Sequence, residues 1–274
     1  MEGAISKYMC ITRKVIFRIC FVLCAFFITL QASAAPPITQ TMTVGRFDKV
    51  YLYMPSEHPS HVAILVSGDG GWKLRVVGMA EKLSTLDTLV IGVDIHHYLK
   101  VLATSHDTCL NPSQEFEDLA HHVESKLGYD PYVKPLLVGY SSGATLVYAS
   151  LVQAPPGTFV GAISLGFCPD LPLNKDMCQG SGLQWVPNTA RKGVVFLPSN
   201  KLEVPWVALQ GMTDLVCEAS ATESYVNQVR NGEVILLPKV GHGYAVKANW
   251  WPQFRSVFNR IYHQTQSAEQ YSSM

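Results

Sequence analysis

Hydrophobic positions along the chain follow two periods in turn. Short, β-branched apolar runs occur at Val62–Val66, Thr88–Val93, Pro135–Val138, Val160–Leu165, Pro205–Leu209 and Glu233–Leu237. Their near-continuous hydrophobicity predicts strands buried on both faces, as in a parallel sheet. Lys49–Met54 alternates apolar and polar residues and predicts an antiparallel edge strand. Between these runs the period changes to that of a helix. Val76, Met79, Ala80 and Leu83 share one face, as do Phe116, Leu119, Ala120, Val123 and Leu127, and again Phe254, Val257, Phe258 and Ile261. Ahead of the second stripe, Asn111-Pro112-Ser113-Gln114 offers an N-cap, a proline for the first helical position and a glutamine to complete a capping box. Trp250-Trp251 is expected to pack the last helix onto the sheet. Strand–helix alternation predicts an α/β fold with a mostly parallel central sheet and helices on both faces. Residues 167–203, rich in Pro, Gly, Asn and Cys, read as an insertion after the 160–165 strand and as a candidate lid. No repeat and no break in composition divides residues 40–262.

The N-terminus departs from this pattern. Lys7, Arg13, Lys14 and Arg18 precede an apolar run of 12 residues, Ile19–Leu30, and then Ala32-Ser33-Ala34. This is the arrangement of a secretory signal with a small-residue cleavage site. The run falls short of the roughly 20 apolar residues of a membrane-spanning helix. The expected organisation is a signal peptide over 1–34, one catalytic domain over 35–262 and a polar, disordered tail over 263–274. Formal net charge is zero for the whole chain and −3 once residues 1–34 are set aside. No basic excess points to nucleic acid. Hydrophobic residues are 48 %, which excludes a disordered chain. Cys109, Cys168, Cys178 and Cys217 lie beyond the signal. Four cysteines in an exported chain predict two disulfides, with three connectivities open. The short separation favours Cys168 with Cys178, leaving Cys109 with Cys217. The spacings lack a CxxC pair, so no metal site is expected there.

Gly139-Tyr140-Ser141-Ser142-Gly143 carries the chemistry. It follows a buried strand and precedes an apolar helix, which is the context of the G-x-S-x-G nucleophile elbow. Ser141 is the candidate nucleophile, held at a helix N-terminus whose N–H groups favour developing negative charge. An acid and then a histidine should follow in chain order. Asp214 follows the 205–209 strand, and His242 follows the 233–237 strand between two glycines. Asp170 is the rival acid. The oxyanion hole calls for the N–H of Ser142 and one N–H from the loop Ser67-Gly68-Asp69-Gly70-Gly71-Trp72, from Asp69 or Gly70. That loop lacks GxGxxG and a Walker lysine, so a nucleotide site is not expected. The side chains of Asp69, Asp94 and Trp72 are candidates for substrate binding, the two carboxylates for a cationic group. Neither His96-His97 nor His121-His122 has the spacing of a metal-binding HExxH. No cofactor is expected.

Six segments resemble one family: VSGDGGW (66–72), VIGVDIHHY (90–98), VGYSSGA (138–144), ISLGFCPDLPL (163–173), LQGMTDLVC (209–217) and GHGY (241–244). Together they are similar to the bacterial virulence proteins VirJ and AcvB, over most of residues 60–262. The resemblance implies an exported α/β-hydrolase of the Gram-negative periplasm. It implies hydrolysis of aminoacylated phosphatidylglycerol, releasing lysine or alanine from the headgroup at the membrane surface. It also implies a link to virulence and to type IV secretion components in some members. The family's usual GYSFGA reads GYSSGA here, and its GGHHFDG region reads VGHGYAV. Two further readings stand beside this one: a generic esterase or thioesterase, and a non-catalytic adaptor for secretion substrates. A monomer is expected.

Overall fold

The computed structural model describes residues 38–272. The expected signal peptide, residues 1–34, lies outside them. An eight-stranded sheet runs through the centre. Its strands in chain order are β1 (Ile38–Val44), β2 (Asp48–Met54), β3 (His61–Val66), β4 (Thr88–Val93), β5 (Leu136–Tyr140), β6 (Gly161–Leu165), β10 (Trp206–Gly211) and β11 (Gly232–Leu237). Their spatial order is β1-β2-β4-β3-β5-β6-β10-β11. β2 is antiparallel to both β1 and β4, while β3, β4, β5, β6, β10 and β11 run parallel. The six apolar runs all become parallel strands, and 49–54 becomes the antiparallel β2, which lies between β1 and β4 rather than at the expected edge. β1, ITQTMTV, is an additional edge strand. Its side chains are mostly exposed, so no apolar run announced it.

Alternation along each strand divides the core between the two faces. On β3, Val62, Ile64 and Val66 face one side and Ala63 and Leu65 the other. The first face packs against α2 (Ile95–Thr104), α3 (Pro112–Leu127), α4 (Ser142–Gln153) and α5 (Ala219–Val226). The second packs against α1 (Arg75–Ser84) and α6 (Trp251–Ser272). All three predicted stripes are buried except for half-buried Leu127 at the end of the second, and Trp250 is buried ahead of α6. Every residue of α4 from Gly143 to Gln153 is buried, as expected of a helix that is apolar all round and lies between sheet and neighbouring helices. Among the described residues, no helix is long and apolar enough to cross a membrane.

Four expectations need correction. The polar stretch from 263 continues α6 to Ser272, since its Gln, Ala and Glu residues favour a helix already nucleated by the buried stripe. The capping box of α3 does not form. Asn111 Oδ1 accepts the Ser113 hydroxyl at 2.8 Å, and the Ser113 N–H donates to Gln153 Oε1 of α4 at 3.1 Å. A partner from another helix has replaced the local one. The insertion forms a small antiparallel sheet of β7 (Asp170–Leu171), β8 (Trp185–Pro187) and β9 (Val194–Phe196). Leu171, Leu183, Val194 and Phe196 are buried in the core, so it is packed in place rather than laid over the sheet as a lid. Finally, the disulfides are Cys109–Cys178 and Cys168–Cys217, not the local pairing. Leu110 pairs with the 176–178 segment through two backbone hydrogen bonds, which sets Cys178 beside Cys109. β6 and β10 are neighbours, so the loops leaving them set Cys168 beside Cys217.

One buried acid stands apart from the active region. Glu124 on α3 is 1 % exposed, accepts the Val133 N–H at 2.7 Å on Oε2, and has no hydrogen bond at Oε1. Burial raises its carboxyl from 4.5 to about 7. The folded state then binds a proton more tightly than the unfolded chain, so stability falls as pH rises from about 4.5 to about 7. Glu124→Gln removes this penalty. Denaturant titration should show the variant more stable than wild type by about 3 kcal/mol above neutrality, with the difference fading toward pH 4.5.

Candidate active site

The turn from β5 into α4 places Ser141. Its backbone sits at φ 56° and ψ −125°, a strained conformation for a residue with a side chain. The flanking glycines make this turn feasible. A Cβ at Gly139 would collide with the Gly143 carbonyl, and a Cβ at Gly143 with the carbonyl oxygens of Val66 and Ser67 at the end of β3. Gly68 lies against Ser141 itself, where an added Cβ would come within 2.9 Å of the serine Cβ. The turn is therefore pressed backbone to backbone between β3 and the first turn of α4.

Three residues from three parallel strands meet here. Ser141 Oγ lies 2.9 Å from His242 Nε2, and His242 Nδ1 lies 2.8 Å from Asp214 Oδ2. Nδ1–H donating to the carboxylate leaves Nε2 free to accept the serine proton. Asp214 is 5 % exposed. Its Oδ1 accepts the N–H groups of Val216 at 2.8 Å and Cys217 at 2.9 Å, and its Oδ2 also accepts Gln210 Nε2 at 3.2 Å. Its buried oxygens are thus all supplied with hydrogen-bond donors. Asp170, the rival, stands in β7 and lies 4.0 Å from Arg191. The contact of His242 with Asp214 decides between them.

Several supporting residues escaped the sequence reading. Gln210, fully buried at the end of β10, donates to Asp214 and to the Cys217 carbonyl at 2.7 Å, while accepting the Phe167 N–H at 3.1 Å. A glutamine inside the run WVALQG was the available signal. Tyr140 donates its hydroxyl to the His242 carbonyl at 3.0 Å. Burial raises the Tyr140 phenol, against the opposing effect of the Arg75 guanidinium, so it stays a donor. The Tyr244 hydroxyl donates to the Leu209 carbonyl. Asp214, Cys217 and His242 also bring three ligand-type atoms within 4.8 Å of one another. The Cys217 sulfur is bonded to Cys168, however, and supplies no thiolate.

The segments after β3 and β4 correct two expectations. Asp94 is not free to bind substrate. Its Oδ1 caps α2 through the N–H groups of His96 and His97, and its Oδ2 accepts the Trp72 N–H at 3.1 Å. Trp72 is 8 % exposed, stacked on Tyr51 with ring centroids 5.0 Å apart and seated over Gly92 of β4. Both hold the loop rather than reach the site. Asp69 is exposed at its tip and accepts the Ser142 hydroxyl at 2.5 Å, one residue from the nucleophile.

Comparison with solved structures places this architecture among the α/β-hydrolases. The chain is similar to a dienelactone hydrolase from Anabaena variabilis at 16 % identity, covering 84 % of this chain and 99 % of that one, with a TM-score of 0.55. It is similar to Est1E from Butyrivibrio proteoclasticus at 13 % identity, covering 84 % and 98 %, with a TM-score of 0.51. A third similar structure is the esterase domain of a Rhodothermus marinus protein, at 12 % identity, covering 78 % and 93 %, with a TM-score of 0.50. At these identities the likeness establishes the fold. Within that fold class, residues 60–158 match the family model described as bacterial virulence protein (VirJ), in agreement with the resemblance carried by the sequence motifs. No curated protein matches the chain.

The crowding at the turn yields a direct test. Gly143→Ala drives a methyl group into the backbone of β3, which is expected to cost on the order of 2 kcal/mol of stability in a urea titration. The variant should also lose the reactivity of Ser141 toward a fluorophosphonate.

Proposed function

We propose that this protein is an exported serine esterase that cleaves the aminoacyl ester of lysyl- or alanyl-phosphatidylglycerol, with a role in virulence. The observation that carries the reading is the continuous relay Ser141–His242–Asp214, at hydrogen-bond distances of 2.9 and 2.8 Å. In this reading His242 Nε2 takes the Ser141 proton as Oγ attacks the ester carbonyl. The carbonyl oxygen becomes an oxyanion. The N–H of Ser142 faces it, since the first helical turn leaves that donor without an intrahelical partner. Gly71 N–H donates to the Gly68 carbonyl and Trp72 N–H to Asp94, so the second donor falls to Asp69 or Gly70. His242 then returns the proton to the departing glycerol oxygen, leaving an aminoacyl-serine. Water, deprotonated by His242, hydrolyses this intermediate and releases the amino acid. Asp214 orients the imidazole and stabilises the imidazolium. No step calls for a cofactor.

Two further observations support the substrate and the compartment. An aminoacyl ester carries an ammonium group beside its carbonyl. The Asp69 carboxylate, anchored by Ser142 at 2.5 Å, stands one residue from the nucleophile and can pair with that cation. The N-terminal signal pattern and two disulfides fit a chain that matures in the oxidising periplasm.

The chain from Ala35 and its Ser141→Ala variant, incubated with lysyl- and alanyl-phosphatidylglycerol, should differ in released amino acid by roughly a thousandfold or more. No release by wild type, with Ser141 still labelled by a fluorophosphonate, indicates a hydrolase of another ester. Absence of labelling as well indicates a non-catalytic role. Asp69→Asn should lower hydrolysis of aminoacyl esters roughly three- to tenfold more than that of uncharged esters. Equal losses on both substrates refute the ammonium contact.

A further inference from the structure

Apolar side chains that stay in water are concentrated around the candidate active site. The large hydrophobic residues exposed among the described residues are Leu74, Val186, Met212, Leu215, Val216 and Val246. All but Val186 lie on the three loops that surround Ser141. Leu74 ends the loop after β3, which supplies Asp69 and Gly70. Met212, Leu215 and Val216 flank Asp214 after β10. Val246 lies four residues beyond His242, after β11. These strands are parallel, so the loops leave the same edge of the sheet. Contacts join them there. The Thr213 N–H donates to the Val240 carbonyl at 3.1 Å. The Arg75 guanidinium lies 2.6 Å from where a Cβ on Gly243 would stand. The Lys247 ammonium lies 3.1 Å from the same position on Gly78 of α1.

This exposure is not the ordinary scatter of surface apolar groups. Leu215 is 98 % exposed and Leu74 is 89 % exposed. Leu74 also has φ 36°, a left-handed value that a leucine adopts only when its surroundings impose it. The fold thus holds a strained residue with its whole side chain in solvent. Apolar clusters of this kind mark surfaces that meet another apolar phase.

Charge identifies that phase. Lys73, Arg75 and Lys247 are exposed among these apolar residues, against the exposed acids Asp69 and Glu218. The local excess is positive on a chain whose charge beyond residue 34 is −3. A rim of leucine, valine and methionine side chains set among lysine and arginine matches the interface of an anionic bilayer, which takes the apolar groups at the acyl boundary and the cations at the phosphates.

We infer that the loop rim formed by Leu74, Met212, Leu215, Val216 and Val246, with Lys73, Arg75 and Lys247, is a docking surface for an anionic phospholipid bilayer. The inference deepens the esterase reading and rests on it, since docking brings Ser141 to the headgroup layer without requiring the lipid to leave the membrane. Leu74 and Leu215 make no part of the relay, so their replacement by serine separates docking from chemistry.

The test uses the chain from Ala35, which keeps every described element and removes the apolar N-terminal run. Wild type and the Leu74→Ser/Leu215→Ser variant are sedimented with vesicles of phosphatidylglycerol mixed into phosphatidylethanolamine, and with vesicles of phosphatidylcholine. Wild type should bind the anionic vesicles more tightly than the zwitterionic ones. The variant should bind them roughly tenfold more weakly for each leucine removed. Hydrolysis of a soluble short-chain ester should be equal in both proteins. Vesicle binding without release of amino acid from lysyl- or alanyl-phosphatidylglycerol supports the surface and overturns the substrate. Release from detergent-dissolved lipid by a protein that binds no vesicle overturns the surface and leaves the substrate standing. Equal vesicle binding by wild type and variant also overturns it. So does a wild-type dimer in sedimentation equilibrium that the variant dissociates, because the rim would then be covered by a second copy.

Discussion

The close approach of the β5–α4 turn to the end of β3 is the constraint on which the site depends. Gly139, Gly143 and Gly68 each stand where a Cβ would meet backbone or the nucleophile itself. With no side chains at these points, the chain can reverse from strand to helix within one residue and leave Ser141 at a positive φ. The strain is held by the sheet beneath it, where β3 and β5 are hydrogen-bonded neighbours. A serine in this conformation points away from the sheet and into the space above the strand ends. Helix α4, buried along its length, fixes the turn from the other side. Tight core packing and a half-buried candidate nucleophile are therefore two results of one geometry.

Polar groups around the relay are satisfied to a degree that the rest of the interior does not need. Asp214 is buried yet meets two backbone donors, the Gln210 amide and the histidine. Gln210 in turn connects the loop after β6, the acid loop and the carboxylate. The Cys168–Cys217 disulfide ties the same two loops covalently. Desolvation makes each of these bonds matter, since an unpaired group in such a place would destabilise the fold. Glu124 shows the contrast. With one oxygen unpartnered and only one backbone donor, it stays protonated to about neutrality.

The loop after β3 shows how candidate binding residues can turn out to be supports. That loop and the end of β4 suggested three side chains reaching for substrate. Two of them, Asp94 and Trp72, are committed to each other and to the frame: the carboxylate caps α2 and takes the Trp72 N–H, while the indole fills the space over Gly92. Only Asp69 remains at the surface, bonded to Ser142. Supports and contacts look alike in the sequence because both use polar and aromatic residues near glycines. Their difference lies in whether the partner is another part of the chain.

The sequence by itself determined the order of strands and helices, the antiparallel direction of β2, and the serine and histidine whose side chains meet at the end of the sheet. These rest on periodicity and on a local motif, which neighbouring residues express without reference to distant ones. The tertiary structure alone decided the disulfide partners, the loss of the α3 capping box to Gln153, and the choice of Asp214 over Asp170. It also decided that Asp94 and Trp72 face inward, and that Gln210 anchors the acid. In every case but the Gln210–Asp214 bond, the deciding atom comes from a segment tens of residues away along the chain. Such partners meet only when the sheet has assembled, and no local pattern encodes which of several chemically equal candidates will be nearest.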